Sequence, residues 1–183
     1  KNGKILQPCI LWNDTRSYKQ ASILDQDESL REITGNIVFP GFTAPKLLWI
    51  QDNKPELFEQ VAKVLLPASY LGYYLTGEFF MDMSDAAGTS WLDVGNRCWS
   101  EYALKAGNMR SDQMPKLLEG TQVASSVSKF IADELGIPSG VSVVAGAGDN
   151  AAAACGVGIM KEGQGFVSIG TSGVLLTARN TYS

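Results

Sequence analysis

The segment VVAGAGDNAAAACGVG, residues 143–158, places one carboxylate, Asp149, in a run made almost entirely of glycine, alanine and valine. Its valines belong to an apolar run that predicts a buried strand over residues 141–145. The letters GAGDN predict a turn, and residues 151–160 predict a small-residue helix or the entry of another strand. Because ligands of α/β proteins bind beyond the carboxyl ends of the strands, the segment predicts an α/β fold with a site at Asp149.

Two roles are open for Asp149 from the residues alone. Gly146 and Gly148 permit a positive φ and a close approach of a ligand to the backbone, and the alanines that follow leave little bulk in the way. One interpretation is that Asp149 only caps the following helix. The other is a general base that orients and deprotonates a substrate hydroxyl, as an aspartate does in phosphotransferases.

Elsewhere, apolar periodicity and turn residues predict helices that alternate with strands. Helical patterns occur at 15–33, 43–50, 54–66, 68–77 and 123–135. Thr43 is predicted as an N-cap with Pro45 in the first turn, while Pro67, Gly77 and Gly136 are predicted to end helices. Strands are predicted at 4–12, interrupted by Pro8, and in a hairpin over 163–179. Residues 81–94 read as a loop that runs into an extended piece.

Composition excludes several classes of function. The 183 residues are 45% hydrophobic, enough for the core of one domain or slightly more, and the net charge is only −4. Without a dense Lys/Arg cluster, the chain is predicted to bind neither nucleic acid nor a membrane surface. The chain contains no histidine, which excludes Ser-His and Cys-His nucleophile pairs and most transition-metal sites.

The three cysteines, Cys9, Cys98 and Cys155, are far apart and lack CxxC spacing. They therefore predict neither a disulfide framework nor a zinc site. No apolar run is long enough for a membrane span, and no signal-peptide pattern is present, so a reducing cytoplasm is the expected location.

The segment SIGTSG, residues 168–173, offers backbone N–H groups and two hydroxyls in one turn. This chemistry suits phosphate oxygens at Gly170, Thr171, Ser172 and Gly173. The alternative is a plain hairpin whose turn needs glycine. The segment lacks the GKS or GKT ending and is not a P-loop.

A second polar cluster, ILWNDTRS at residues 10–17, follows the first predicted strand. Trp12 could lie against the apolar face of a sugar, with Asn13 and Asp14 bonded to its hydroxyls. Alternatively, Trp12 is a core residue, Asp14 or Thr15 is an N-cap, and Arg16 is a solvated helix residue.

The segment GFTAPKLLWIQDN, residues 41–53, matches the signature of the FGGY carbohydrate kinases. LWNDTR, SDAAGTSWLDV, AGAGDNAAAACGVG and SIGTSGV occur around it in the family's order. The chain resembles this family along almost its whole length, and WND, SDAAGT and GDNA resemble most its xylulose branch. Glycerol, ribulose and gluconate kinases share the plan.

The resemblance implies an actin-like ATPase (ribonuclease H-like) fold of two domains that face a cleft. Residues 1–160 would be the later part of the N-terminal sugar-binding domain, and residues 161–183 the opening hairpin of the C-terminal nucleotide-binding domain. Family members begin with an Asp-Leu-Gly-Thr-Ser type turn and a Met-His-Gly sugar contact, and neither occurs here. The chain is therefore expected to be an internal piece of a kinase, without measurable kinase activity in isolation.

The resemblance also assigns roles to individual residues. Asp149 matches the family's catalytic base. The positions that match sugar contacts are Trp12, Asn13, Asp14 and Asn150, and those that match the turn facing the nucleotide phosphates are Gly170, Thr171, Ser172 and Gly173. Ser84, Asp85 and Thr89 lie in a family-like loop to which a structural role is given. Lys46 and Trp49 carry the signature, and a packing helix explains them as well as a ligand does.

The implied reaction is transfer of the ATP γ-phosphoryl group to the 5-hydroxyl of D-xylulose, with Mg²⁺ beside the phosphates. The expected partners are the sugar and ATP, and the oligomeric state is left open, with a homodimer as one option. Two alternatives remain: another FGGY kinase, acting on ribulose, glycerol or gluconate, and a non-catalytic sugar-binding domain of the same fold.

Overall fold

The computed structural model describes residues 3–170 and 173–182. Its strands are short and form two-stranded sheets. The strands are β1 (Phe80–Asp82), β2 (Leu92–Asp93), β3 (Cys98–Trp99), β4 (Lys116–Leu118), β5 (Val123–Ser126), β6 (Ser142–Val144), β7 (Gly165–Ile169) and β8 (Gly173–Thr177). Strands β1 and β4 are parallel, whereas β2–β3, β5–β6 and β7–β8 are antiparallel pairs.

Helices connect and cover these pairs. They are α1 (Tyr18–Asp25), α2 (Glu28–Thr34), α3 (Thr43–Asn53), α4 (Pro55–Phe58), α5 (Pro67–Thr76), α6 (Met83–Ala87), α7 (Glu101–Ala106), α8 (Lys129–Leu135) and α9 (Asp149–Gly156), with a 3₁₀ turn at Ser111–Gln113. Together with the parallel pair, they confirm the predicted α/β class.

The largest core cluster lies among α1, α2, α3 and α7 and surrounds Trp91, which is fully buried. Gly107 makes room for this indole, because a Cβ at residue 107 would lie 2.5 Å from Trp91 Nε1. A second cluster, Met81, Ala86 and Leu92, packs where β1 meets α6. This smaller cluster fixes the end of β1, from which one wall of the site is built.

Several predicted helix ends are confirmed. Gly77 and Gly136 take left-handed φ values of 81° and 67° and end α5 and α8. The hairpin predicted over residues 163–179 forms as β7 and β8. The predicted helix over 15–33 is two helices, because the Asp27 side chain accepts a hydrogen bond from the Leu30 N–H and starts α2 there. Thr43 is the first residue of α3 and Phe42 its N-cap, so that prediction was wrong by one residue.

The predicted helix over 54–66 was wrong beyond α4. Residues 61–66 bond instead to the 3₁₀ turn: the Val64 N–H donates to the Gln113 carbonyl at 3.0 Å, and Gln113 Nε2 donates to the Val61 carbonyl at 2.8 Å. Pro67, predicted to end a helix, begins α5. Tertiary hydrogen bonds therefore overrode an apolar pattern of helical period.

Three other predictions were also wrong. Residues 4–12 form no strand, because no described strand pairs with them. The helical pattern that starts at Val123 becomes helical only at Lys129, since residues 123–126 pair with β6 as β5. The predicted strand over 141–145 exists as β6 but is not buried: Val144 is 49% exposed.

Candidate active site

A cleft of about 1100 Å³ opens between the N-terminal segment, α3, the start of α6 and the start of α9. Trp12, Ser84, Asp85, Asp149 and Asn150 all line it. These residues come from three distant parts of the sequence. The structure thus brings together three of the predicted site residues, Trp12, Asp149 and Asn150, with two that the sequence interpretation had called structural.

Asp149 is the first residue of α9, and Gly148 is the N-cap. Asp149 Oδ1 accepts hydrogen bonds from the Asn150 N–H at 2.8 Å and from Asn150 Nδ2 at 3.2 Å. Asp149 does not occupy the N-cap position, so the helix-cap interpretation was wrong, although its Oδ1 accepts one of the free N–H groups of the first turn. Oδ2 accepts no hydrogen bond from the described residues, and Asp149 lines a cleft large enough for a small substrate.

The turn before Asp149 crosses the carboxyl ends of the parallel strands β1 and β4. The Gly146 N–H donates to the Gly120 carbonyl at 3.0 Å, two residues beyond β4. Gly146 has a φ of +83°, in the left-handed region that favours glycine. The placement of Asp149 follows the rule for α/β ligand sites, although the strands whose ends it crosses are β1 and β4 rather than its own β6.

The start of α6 forms the wall of the cleft next to this turn. Its N-cap is Asp82, which is 4% exposed. Asp82 Oδ1 accepts hydrogen bonds from the backbone N–H groups of Ser84 at 2.8 Å and Asp85 at 3.0 Å, and from the Ser84 hydroxyl. Ser84 Oγ in turn accepts a hydrogen bond from the Gly148 N–H at 2.8 Å. A residue next to Asp149 is thereby tied to a buried carboxylate.

Asp85 is half-buried in the cleft, and Gly148 packs closely against it. A Cβ at residue 148 would lie 3.2 Å from Asp85 Oδ1. Burial raises the pKa of the Asp85 carboxyl, and the negative charges of Asp82 and Asp149 raise it further. No described cation pairs with it. The sequence interpretation noted the motif SDAAGT but assigned Asp85 no chemistry, because nothing local brings residue 85 to residue 149.

Trp12 is 73% exposed and lines the cleft, so the alternative that placed it in the core was wrong. Asn13 and Asp14 are not among the residues that line the cleft. Asp14 is instead held by Arg16, with Nε–Oδ1 and Nη2–Oδ2 distances of 2.9 and 2.7 Å. These hydrogen bonds lower the pKa of Asp14 to about 2.

The N-cap of α1 is Ser17, so Asp14 and Thr15 do not fill that role. Arg16 lies over the Trp49 ring, 5.0 Å from its centroid, and is more than a solvated helix residue.

Lys46 holds the turn at Gly41, which packs against the segment that carries Trp12. It is 8% exposed, and its Nζ donates to the Gly41 carbonyl at 2.8 Å. A Cβ at residue 41 would lie 2.9 Å from the Trp12 carbonyl oxygen, so the two turns are in close contact. Burial lowers the pKa of the Lys46 ammonium group. Lys46 therefore has a structural role at the edge of the cleft.

The predicted nucleotide turn is described only in part. Gly170 lies in an exposed bend, and Gly173 begins β8 opposite Ile169. Thr171 and Ser172 lie outside the described residues. Neither Gly170 nor Gly173 lines the cleft, although Leu176 of the same hairpin does.

Residues 3–170 and 173–182 contain no group of three or more His, Cys, Asp or Glu side chains that could hold a metal ion. None of the helices described there combines the length and the apolar character that crossing a bilayer requires.

Comparison with known proteins relates this geometry to carbohydrate kinases. Residues 1–156 match the family model of the N-terminal domain of the FGGY family of carbohydrate kinases. The xylulose kinase of Escherichia coli (strain K12) is 51% identical over 172 residues, which cover 93% of this chain and 35% of that protein. This chain spans about a third of the length of the curated relatives that it matches.

Solved structures show the same relationship. A crystal structure of a xyloylose kinase from Brucella ovis matches 98% of this chain and 37% of its own, with a TM-score of 0.94 and 54% sequence identity. A gluconate kinase from Lactobacillus acidophilus matches 94% of this chain and 36% of its own, with a TM-score of 0.87 and 26% identity.

Proposed function

This chain belongs to the FGGY family of carbohydrate kinases, and we propose that the protein carrying it transfers the γ-phosphoryl group of ATP to the 5-hydroxyl of D-xylulose. The observation that carries the proposal is the Asp149 carboxylate, which is exposed to a cleft that Trp12 and Asn150 also line. Similarity to proteins described as xylulose kinases supports the choice of sugar.

The chain has part of the actin-like ATPase fold of these kinases, as the resemblance implied. Within it, we assign residues 1–160 to the sugar-binding domain and residues 161–183 to the opening hairpin of the nucleotide-binding domain. On this assignment Gly170, Thr171, Ser172 and Gly173 face the phosphates of ATP. The turn would supply backbone N–H donors to phosphate oxygens.

In the proposed reaction, Asp149 accepts the proton of the sugar hydroxyl as its oxygen attacks the γ-phosphorus in line. The bond from the γ-phosphorus to the bridging oxygen breaks, and ADP leaves with that oxygen. Asn150 holds Oδ1 of the base through two hydrogen bonds, so Oδ2 is the oxygen available to the substrate. The Trp12 indole would cover the apolar face of the sugar and exclude water.

Magnesium accompanies ATP in phosphoryl transfer and, when bound, neutralises charge on the phosphates. The described residues hold no three-ligand group that could bind the ion alone. Asp85 and Asp149 are the carboxylates that line the cleft, so this chain could offer at most part of a coordination shell.

The replacement Asp149→Asn tests the base in a full-length kinase that contains this chain. We expect kcat to fall by about 10³-fold or more, because the amide cannot accept the proton. The sugar dissociation constant, measured by calorimetry, should change little because the amide keeps the shape of the side chain. Turnover of Asp149→Asn at more than a tenth of the wild-type rate would contradict the proposal.

A second candidate is another sugar or polyol substrate, favoured by the likeness to a gluconate kinase. Side-by-side kinetics with D-xylulose, ribulose, glycerol and gluconate separate the two candidates. We expect the highest kcat/KM with D-xylulose. A non-catalytic sugar-binding protein would show no turnover with any of these four compounds while still binding one of them.

A further inference from the structure

We infer that Ser84 is a positioning residue for Asp149, acting through a hydrogen-bond relay that runs from the Asp82 carboxylate through the Ser84 hydroxyl to the Gly148 N–H. The inference rests on the proposed role of Asp149 and deepens it. Ser84 lies 64 residues before Gly148 in the sequence, so the relay joins two segments that no local interaction holds together.

The relay starts from a fixed acceptor. Asp82 is the last residue of the buried strand β1, is itself 4% exposed, and uses Oδ1 to accept the backbone N–H groups of Ser84 and Asp85 at the start of α6. The Ser84 hydroxyl donates to that same oxygen. Because its only proton is directed at Asp82, Ser84 Oγ presents its lone pairs to the opposite side.

Those lone pairs meet the residue that precedes the base. The Gly148 N–H donates to Ser84 Oγ at 2.8 Å, and Gly148 is the N-cap of α9. The Gly148 carbonyl accepts the first hydrogen bond of that helix, from the Ala152 N–H at 2.9 Å. The N–H and the carbonyl of Gly148 are therefore both hydrogen-bonded, which restricts the backbone orientation from which the Asp149 side chain projects.

The other side of the turn is held independently. The Ala145 N–H donates to the Gln122 carbonyl at 3.0 Å, and the Gly146 N–H donates to Gly120 at the same distance. Those bonds hold the turn three or four residues before Asp149, whereas the relay holds the residue immediately before it. Loss of Ser84 Oγ therefore leaves the turn attached to the fold but frees the peptide unit that directs the carboxylate.

The expected effect is on turnover rather than on substrate binding. A displacement of about 1 Å at a reacting group can lower the rate by about 100-fold. In the full-length kinase we expect Ser84→Ala to lower kcat by about 10- to 100-fold, with the KM values for sugar and ATP changed by less than about threefold. Ser84→Thr keeps the hydroxyl, and Ser84 is exposed enough to accept a methyl group, so the threonine variant should restore kcat.

The matched control is Ser128→Ala. Ser128 Oγ accepts the Ile131 N–H at 3.4 Å as the N-cap of α8, and Ser128 does not line the cleft. Its loss removes a serine hydroxyl from a helix start without touching the turn before Asp149, so kcat should stay within about twofold of wild type. Amide hydrogen exchange of residues 145–150 gives a second readout, since Ser84→Ala should speed exchange at Gly148 and Ser84→Thr should not.

Four outcomes overturn the relay: kcat of Ser84→Ala within twofold of wild type, equal loss in Ser84→Thr, equal loss in Ser128→Ala, or unchanged exchange at Gly148. Different results would contradict the proposed function itself: a wild type that phosphorylates none of the four substrates, or an Asp149→Asn variant that retains turnover. A slow Asp149→Asn beside a fully active Ser84→Ala therefore contradicts the relay alone.

Discussion

The two walls of the cleft are built in different ways. The wall that carries Ser84 and Asp85 starts from a buried carboxylate, Asp82, and is bonded to a segment far away in the sequence. The wall that carries Trp12 has no regular secondary structure, and the ion pair beside it joins residues only two apart, Asp14 and Arg16. The difference indicates that the fold holds the catalytic side firmly, while the aromatic side is held by local contacts and by Lys46 beneath Gly41.

The largest effect on stability is expected at Asp82, which anchors the wall that carries Ser84 and Asp85. Asp82→Ala removes three hydrogen bonds to one buried oxygen and the N-cap of α6. We expect the free energy of unfolding, measured with urea in the full-length protein, to fall by about 2–3 kcal/mol. Asp27→Ala is the matched control, because Asp27 is also an N-cap but is only partly buried and accepts one backbone N–H and the Tyr102 hydroxyl on separate oxygens. If the two variants lost equal stability, the contrast between the walls would not hold.

A smaller effect of opposite sign is expected at Asp85. Its pKa is raised in the folded protein by burial and by the charges of Asp82 and Asp149. Because the folded state then binds the proton more tightly than the unfolded state, stability falls as pH rises through the interval between the two pKa values. Asp85→Asn should therefore raise the melting temperature at pH 7.

That gain should shrink as pH falls, and should vanish below the ordinary carboxyl pKa of 3.8, where the residue is protonated in both states. Thermal melts of wild type and Asp85→Asn between pH 3 and pH 7 measure the difference. Since Asp133 is exposed on α8 and does not line the cleft, Asp133→Asn serves as the control. A gain that is independent of pH would show that the carboxylate is not strained by its surroundings.

The smallest effect is expected in the Trp12 wall, at the exposed pair of Asp14 and Arg16. Carbon-detected NMR should find that Asp14 titrates with a pKa of about 2. In Arg16→Gln the pKa should return towards 3.8, because the largest cause of the shift is the hydrogen bonding from the Arg16 side chain. Added salt should weaken the shift, as for other exposed ion pairs. Titration of wild-type Asp14 near 3.8 would mean that the pair does not persist in solution.

The helix ends at Gly77 and Gly136 and the β7–β8 hairpin were predictable because their signals are local. Gly77 and Gly136 end helices through a left-handed residue, which glycine adopts without a side-chain clash. The strands β7 and β8 are neighbours in sequence, so their pairing needed no distant partner. By contrast, residues 61–66 show a helical pattern but bond to Gln113, and only the distant turn explains why they are not helical.

The candidate site divides in the same way. The sequence by itself determined the family, the α/β class and the identity of Asp149 as the acid beside a glycine turn, because these depend on residue order and on interactions within a few positions. Only the tertiary structure decided that Asp149 begins a helix instead of capping it, that Asp85 faces it, and that Ser84 holds the residue before it. The physical reason is that each of these contacts joins groups whose positions depend on how β1, β4 and α9 pack together. Short-range patterns of polarity in the sequence do not predict that packing.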